Sequence, residues 1–244
     1  VVAAQEEAAD DVAPPAPVAS TDAPNPVDAP KPEEAAKPAQ GGRPTGPLPG
    51  HSHIGEVFNE GPRQKAYLME GMPKISFPVT TKWPEAQKFI EQGVGQIHGF
   101  WYYEAERSFR QAAVLDKDCA MAYWGMALAN IENASRGRKF MAECVKHKSG
   151  LTERETMYID AAEAYFKAAQ NKRKERNQAY TKALERILYK FPEDIEAKAL
   201  LALQLWKNRD SGLPITSYLA IDALIGQVLE RSPLHPAHHY RIHL

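Results

Sequence analysis

The sequence predicts an all-α protein, an irregular array of antiparallel helix pairs of the α-solenoid type preceded by a disordered Ala/Pro-rich tail. Three observations carry this prediction. Apolar residues recur at helical spacing through most of residues 84–244, and only one short segment alternates as a strand would. Eleven of the 19 prolines of the 244-residue chain lie in residues 1–50.

The predicted organisation has three parts: a linker tail over residues 1–50, an irregular arm over 51–83, and a helical domain over 84–244. The tail is rich in Ala, Pro and acidic residues and has no aromatic residue. Such a composition buries too little apolar surface to offset chain entropy, so we expect disorder there.

The two termini carry expectations of their own. The small residues before Gln5 are typical of the end of a signal peptide, which predicts a periplasmic or otherwise exported protein; an arbitrary fragment start is the alternative. The last residues, from Pro236 to Leu244, read as the first turns of a helix without a cap. This predicts a helical domain that is truncated at its C-terminus, so that the chain is the front part of a longer protein.

The arm over residues 51–83 is punctuated by Gly and Pro, which predicts irregular structure laid on the body rather than a helix. Within it, Ile75, Phe77 and Val79 alternate with polar residues and Pro78. This pattern predicts at most one short extended strand or arm.

The helices of the body follow from capping signals and periodicity. Pro84 suits the first helical position, where its missing N–H costs nothing. Thr152 and Glu155 form a capping box, and Asp194 is a preferred N-cap. We predict about nine helices and no sheet: 84–98, 102–115, 120–131, 136–147, 152–169, a helix around 180–188, 195–206, 216–229, and one opening at 236.

The strongest repeat signature runs from Tyr103 to Ala127. Ala105, Phe109 and Ala112 share one face of a helix, and the next helix follows at once. This small/large/small pattern resembles the tetratricopeptide repeat over roughly residues 84–244, with irregular spacing between units. Looser matches are Tyr180, Leu184 and Ile187 with Pro192, and Ile221, Ile225 and Val228 with Pro233.

The segments 98–105, 118–125 and 235–243 together are similar to a poorly characterised group of exported bacterial tetratricopeptide proteins. The resemblance implies a non-enzymatic scaffold that holds a protein or peptide partner in a helical groove. Trp101, Tyr102 and Tyr103, at a turn between two helices, are the residues expected to contact the partner; core packing is the alternative.

A cluster of histidines supports a second hypothesis, a metal-binding protein or metalloenzyme. If a helix starts at Pro236, then His235, His239 and His243 follow one another at i, i+4 and i+8 along one stripe. Imidazole suits Zn, Cu, Ni or Fe, so a transition metal such as Zn is the expected cofactor in this alternative, with His98 as an outside ligand. His51, His53 and Glu56 form a weaker candidate set, and a structural polar cluster is the competing interpretation.

Charge and motifs narrow the remaining function classes. The net charge is −1, and basic residues such as Lys172–Arg176 are too mixed with acidic ones for a nucleic-acid footprint. The chain contains no His-Glu-x-x-His, Gly-x-Ser-x-Gly or Gly-rich phosphate loop, and no apolar run long enough to span a membrane. Cys119 and Cys144 have no metal or haem spacing, and we expect two free thiols rather than a disulfide.

Overall fold

The structure is a computed structural model that describes residues 56–169 and 171–244. The tail over residues 1–50 and the residues His51 and His53 lie outside the described residues. Within them the protein is all-helical, with nine α-helices, two short 3-10 helices and no strand, as the periodicity predicts. No helix in these ranges combines the length and the hydropathy that crossing a bilayer requires.

Most of the α-helices begin and end close to where the capping signals place them, but α6 begins at Arg173, well before the helix predicted around 180–188. Thr152 and Glu155 form the reciprocal capping box, and the Asp194 side chain accepts from the backbone N–H of Ala197. The helices are α1 Pro84–His98, α2 Tyr102–Leu115, α3 Ala120–Ala129, α4 Ala134–Lys146, α5 Glu153–Lys167, α6 Arg173–Lys190, α7 Ile195–Asn208, α8 Tyr218–Arg231 and α9 His238–His243.

Three local predictions need correction. Residues Glu56–Asn59 form one turn of 3-10 helix instead of irregular chain. The turn is held from outside, because the Arg110 guanidinium donates to the backbone carbonyls of Val57 and Phe58. α8 begins at Tyr218, after the N-cap Ser217, rather than at Thr216, and α9 begins at His238 rather than at Pro236.

Successive helices pack against one another along the chain, and α3 also contacts both α1 and α5. Glycines bring the first helices close together. A Cβ on Gly125 in α3 would lie 2.2 Å from the Phe109 ring of α2, and one on Gly93 in α1 would lie 2.7 Å from the same ring. The Phe109 ring therefore fills the space that both glycines leave, and the two alanines of the small/large/small pattern, Ala105 and Ala112, are fully buried on the same helix.

The arm that precedes α1 lies across the faces of α1, α3 and α5. Phe77 is fully buried, stacks on Trp124 of α3 with ring centroids 5.3 Å apart, and meets Tyr158 of α5 edge-on. Gln87 of α1 pairs with the arm backbone, accepting from the N–H of Val79 and donating to the carbonyl of Phe77. The alternating apolar residues thus belong to an extended arm held by side chains rather than to a strand.

Glu155 ties the arm to α5. Its carboxylate accepts from the Thr80 backbone N–H at 2.5 Å and from the Thr80 hydroxyl at 2.7 Å, besides closing the capping box with Thr152. Burial alone would raise the pKa of Glu155, but the hydrogen bonds from Thr80 and Thr152 outweigh burial and lower it. This face of the helical array is therefore occupied by the chain itself.

Cys119 and Cys144 are both free and buried. Burial raises the pKa of the Cys119 thiol to about 11 and that of Cys144 to about 12. Such thiols are protonated at neutral pH and behave as small core residues, which agrees with the absence of metal or haem spacing.

Candidate functional site

The described residues hold one group of three potential metal ligands, and they come from three separate segments. His98 ends α1, Glu196 lies in the first turn of α7, and His235 lies in the turn before α9. All three are buried, with exposed fractions of 0%, 3% and 1% respectively. We call these three residues, together with Tyr240 of α9, the histidine–glutamate centre.

The local sequence explains why two polar residues point inward here. His98 follows Ile90 and Val94 at steps of four along the buried face of α1. Glu196 precedes Leu200 and Leu203 at steps of four and three along the buried face of α7. The helical periodicity that buries those apolar side chains therefore also buries His98 and Glu196.

Hydrogen bonds connect every member of the centre. Glu196 Oε2 lies 2.8 Å from His98 Nε2 and 3.3 Å from His235 Nε2. His98 Nδ1 lies 2.5 Å from the Tyr240 hydroxyl, and His235 Nδ1 accepts from the backbone N–H of Ala237 at 3.0 Å. Each imidazole nitrogen thus has one partner, and each partner constrains where the proton sits.

The pKa shifts of His98, Glu196 and Tyr240 indicate the charges of these three groups. Burial lowers the pKa of His98, so its imidazole is neutral at pH 7. Burial alone would raise the pKa of Glu196, but the hydrogen bonds from His235 and His98 outweigh it and lower that pKa to about 2. Burial also raises the pKa of Tyr240 well above its ordinary value, so the phenol keeps its proton.

These charges, together with the hydrogen bond from the Ala237 N–H to His235 Nδ1, define one consistent proton arrangement. The Tyr240 hydroxyl donates to His98 Nδ1, and the Nε2–H groups of His98 and His235 both donate to the Glu196 carboxylate. The centre then carries one net negative charge in a buried place. Two neutral N–H donors stabilise that charge only in part, because burying an ionised carboxylate is costly.

The structure divides the four histidines of the metal hypothesis between two places. His98 and His235 belong to the buried centre, whereas His239 and His243 lie on α9 with their Nε2 atoms 3.1 Å apart. Because α9 begins only at His238, His235 is not part of its i, i+4, i+8 stripe. Within the described residues, the pair His239 and His243 gains no carboxylate, cysteine or third histidine as a further ligand.

The aromatic residues of the α1–α2 turn adjoin this centre. Phe100 stacks on Tyr240 at 5.8 Å between ring centroids and contacts the rings of His239 and His243. Its φ of 63° is the only positive value of a non-glycine residue among those the structure describes. A bulky residue in this region is strained, and such strain is characteristic of functional sites.

The three expected partner-binding residues have different surroundings. Trp101 and Tyr103 are 55% and 58% exposed. Tyr102 lies between them half-buried, with its hydroxyl 3.3 Å from the Lys207 ammonium and its ring stacked against Phe100. We call Trp101 and Tyr103 the exposed aromatic pair; Tyr102 supports the turn that carries them.

A second recess lies apart from the centre, between α5 and α6. This open cleft has a volume of about 500 Å³. Alanines of both helices floor it and charged side chains rim it: Ala161, Ala164, Ala179 and Ala183 with Glu175, Lys182 and Arg186. The cleft is in the size range of ligand pockets, and no sequence motif marks it.

Comparison of the chain with protein-family models, with curated proteins and with solved structures finds no match in any of the three.

Glu196 and Tyr240 were not among the candidate residues that the sequence suggested. Glu196 reads locally as an acidic residue that suits the positive end of the α7 dipole, and Tyr240 reads as a packing residue. The available signal was Glu196 sharing a helix face with Leu200 and Leu203, since an acidic residue on an apolar face requires a partner.

Proposed function

We propose that the protein is a non-enzymatic helical scaffold that binds a protein partner through the exposed aromatic pair, Trp101 and Tyr103. The observation that carries the proposal is that two large rings remain more than half exposed at the very turn where the backbone is strained. Trp and Tyr are enriched among the residues that dominate binding energy at protein interfaces.

The helical frame suits this function. The helices pack in sequential pairs, and the contacts of α3 with both α1 and α5 are those expected when the first helices of tetratricopeptide-like units stack. Because each unit contacts mainly its neighbours, turns between helices are free to carry recognition residues. We therefore retain a tetratricopeptide-like array as part of the proposal.

We assign the partner-binding site to the α1–α2 turn because the arm already covers the surface where a peptide groove would be expected. The faces of α1, α3 and α5, where a groove for a peptide would be expected, are covered by the arm around Phe77. A partner that used that groove would have to displace a fully buried phenylalanine. The exposed aromatic pair requires no displacement.

The turn is also well fixed, which favours tight recognition because little entropy is lost on binding. Trp206 donates from its indole N–H to the carbonyl of His243, and Lys207 bridges the Tyr102 hydroxyl and the carboxylate of Glu132. Phe100 packs between these groups. The rings at 101 and 103 are thus presented on a supported backbone.

Site-specific photo-crosslinking tests this proposal. A photoreactive phenylalanine analogue is placed at Trp101, at Ala164 in the α5–α6 cleft, or at Tyr189, which is 88% exposed on α6 and serves as the matched control. We expect one protein to crosslink from position 101 and not from 189, and the crosslink to disappear in the Tyr103→Ser background. Crosslinking from position 164 alone would move the binding site to the cleft and contradict the proposal.

A further inference from the structure

We propose that His98, Glu196 and His235 form a buried site for a divalent transition-metal ion of the Zn²⁺ class. The three donor atoms, two imidazole Nε2 and one carboxylate oxygen, lie within 4.8 Å of one another. This inference is independent of partner binding, since it concerns the buried centre rather than the exposed aromatic pair.

The donor set is chemically appropriate. Two imidazoles and one carboxylate are a recurrent three-ligand set for Zn²⁺ and related ions, with bonds of about 2.0–2.2 Å. Donors around a tetrahedral ion are then about 3.3 Å apart. Glu196 Oε2 already lies 2.8 Å from His98 Nε2 and 3.3 Å from His235 Nε2. Small movements of side chains are enough to admit an ion among them.

The charge of the centre also favours a cation. Each imidazole directs an Nε2–H at the same carboxylate oxygen, and its Nδ1 accepts from Tyr240 or from the Ala237 N–H. This arrangement is an anionic set of ligands with two Nε2 protons in the place of an ion. An ion replaces those two protons and, with each proton moved to Nδ1, changes the net charge of the centre from −1 to +1. Because the group is buried, ion and ligands interact with little competition from water.

Tyr240 has the position of an outer partner that orients a ligand. A metal-bound histidine usually donates its other ring N–H to an oxygen. With metal on Nε2, His98 would carry its proton on Nδ1 and donate it to the Tyr240 hydroxyl oxygen, 2.5 Å away. His235 would likewise move its proton to Nδ1 and give up the hydrogen bond from the Ala237 N–H. Metal binding therefore changes the tautomer of both histidines.

The pair His239 and His243 on α9 is the internal competitor for the ion. His239 Nε2 and His243 Nε2 lie 3.1 Å apart, a separation that suits two ligands of one metal. Their site offers two ligands in contact with water, whereas the centre offers three that are buried. We therefore assign the ion to the histidine–glutamate centre and use His239 and His243 as the control.

To test this, the chain is stripped of metal with a chelator and then titrated with Zn²⁺ alone, and calorimetry measures the binding. We expect one ion per chain, with affinity at least 100-fold weaker in Glu196→Gln and unchanged in the double variant His239→Ala/His243→Ala. Tyr240→Phe keeps the ring and should weaken binding about 10–100-fold, which provides a second variant in case Glu196→Gln fails to fold. Substituting Co²⁺ should give the intense visible absorption of a tetrahedral ion.

Three results would overturn the assignment. The first is no binding of Zn²⁺ to the wild-type chain. The second is binding that disappears in the His239/His243 variant and persists in Glu196→Gln. The third is binding that leaves the ¹⁵N shifts of the His98 and His235 rings at the values of their Nε2–H tautomers. A second, weaker ion that is lost only in the His239/His243 variant, beside a first that requires Glu196, supports the assignment.

Discussion

Replacing Glu196 by Gln tests how much the buried centre stabilises the fold. The substitution keeps the shape of the side chain and removes its charge. In the metal-free protein, the carboxylate accepts hydrogen bonds from His98 and His235, whose other ring nitrogens already accept from Tyr240 and Ala237. Both bonds to the carboxylate end on the same oxygen, Oε2. The amide oxygen of Gln can take that position and accept from both Nε2–H groups, so both bonds persist but lose the charge of their acceptor.

The expected cost follows from these bonds. Each of the two hydrogen bonds loses its charge assistance, which is a change of about 1 kcal/mol per bond. The gross cost is then about 2 kcal/mol, and the easier burial of an amide than of a carboxylate offsets part of it. We expect a net loss of about 1–2 kcal/mol in the free energy of unfolding.

The assay is urea unfolding in the presence of a chelator, with far-UV circular dichroism as the measure of the folded fraction. A loss of this size lowers the melting temperature by several degrees in a domain of this length. The matched control is Glu193→Gln, the same change at a residue whose side chain is 74% exposed and pairs with Arg231, and it should shift stability by less than about 0.5 kcal/mol. Equal stability of Glu196→Gln and wild type would refute the hydrogen-bond arrangement described above.

Three further predictions concern pH and packing. The pKa of His98 is lowered in the folded state, so below about pH 6.5 the unfolded chain binds a proton that the folded chain does not. The free energy of unfolding should therefore fall by up to about 1.4 kcal/mol per pH unit as the pH drops. In urea unfolding between about pH 7 and pH 5, His98→Gln should show a shallower dependence of stability on pH. Phe77→Ala removes a fully buried ring from against Trp124; it should cost about 3–5 kcal/mol and speed proteolysis of the arm ahead of the helices. Gly125→Ala would place a Cβ 2.2 Å from the Phe109 ring, and it should cost at least about 1–3 kcal/mol by thermal unfolding, so an unchanged melting temperature would contradict the packing described.

The helices were predictable because their determinants are local. The capping box of Thr152 and Glu155 and the cap Asp194 fix the starts of α5 and α7 within a few residues of sequence. The end of α3 was placed two residues too late, at Ile131, because Asn130 ends the helix by capping. Such errors of one or two residues are usual where neighbouring residues can serve equally well as a cap.

The arm and the buried centre were less predictable because their determinants are distant in sequence. Thr80 and Glu155 are 75 positions apart, and His98 and Glu196 are 98 positions apart. Helical periodicity states which face of a helix is buried, but it does not state which distant face lies opposite. For that reason the sequence offered His98 only as an outside ligand and did not name Glu196 as its partner.

Local backbone geometry separates His235 from His239 and His243. A helix starting at Pro236 would have placed His235 at its cap, in one stripe with His239 and His243. The His235 ring instead accepts the backbone N–H of Ala237, and the helix starts at His238. The imidazole is thereby directed toward Glu196, which separates it from the two histidines that share its sequence motif.

The central claim, that Trp101 and Tyr103 bind a protein partner, is tested most directly by titrating the partner identified by crosslinking against two double variants. Trp101→Ser/Tyr103→Ser removes the exposed aromatic pair, and Tyr189→Ser/Tyr218→Ser removes two other rings that are 88% and 50% exposed. We predict a Kd at least about tenfold weaker for the first variant, because each such ring typically contributes more than about 1 kcal/mol, and an unchanged Kd for the second. Equal affinities of the two variants would contradict the account.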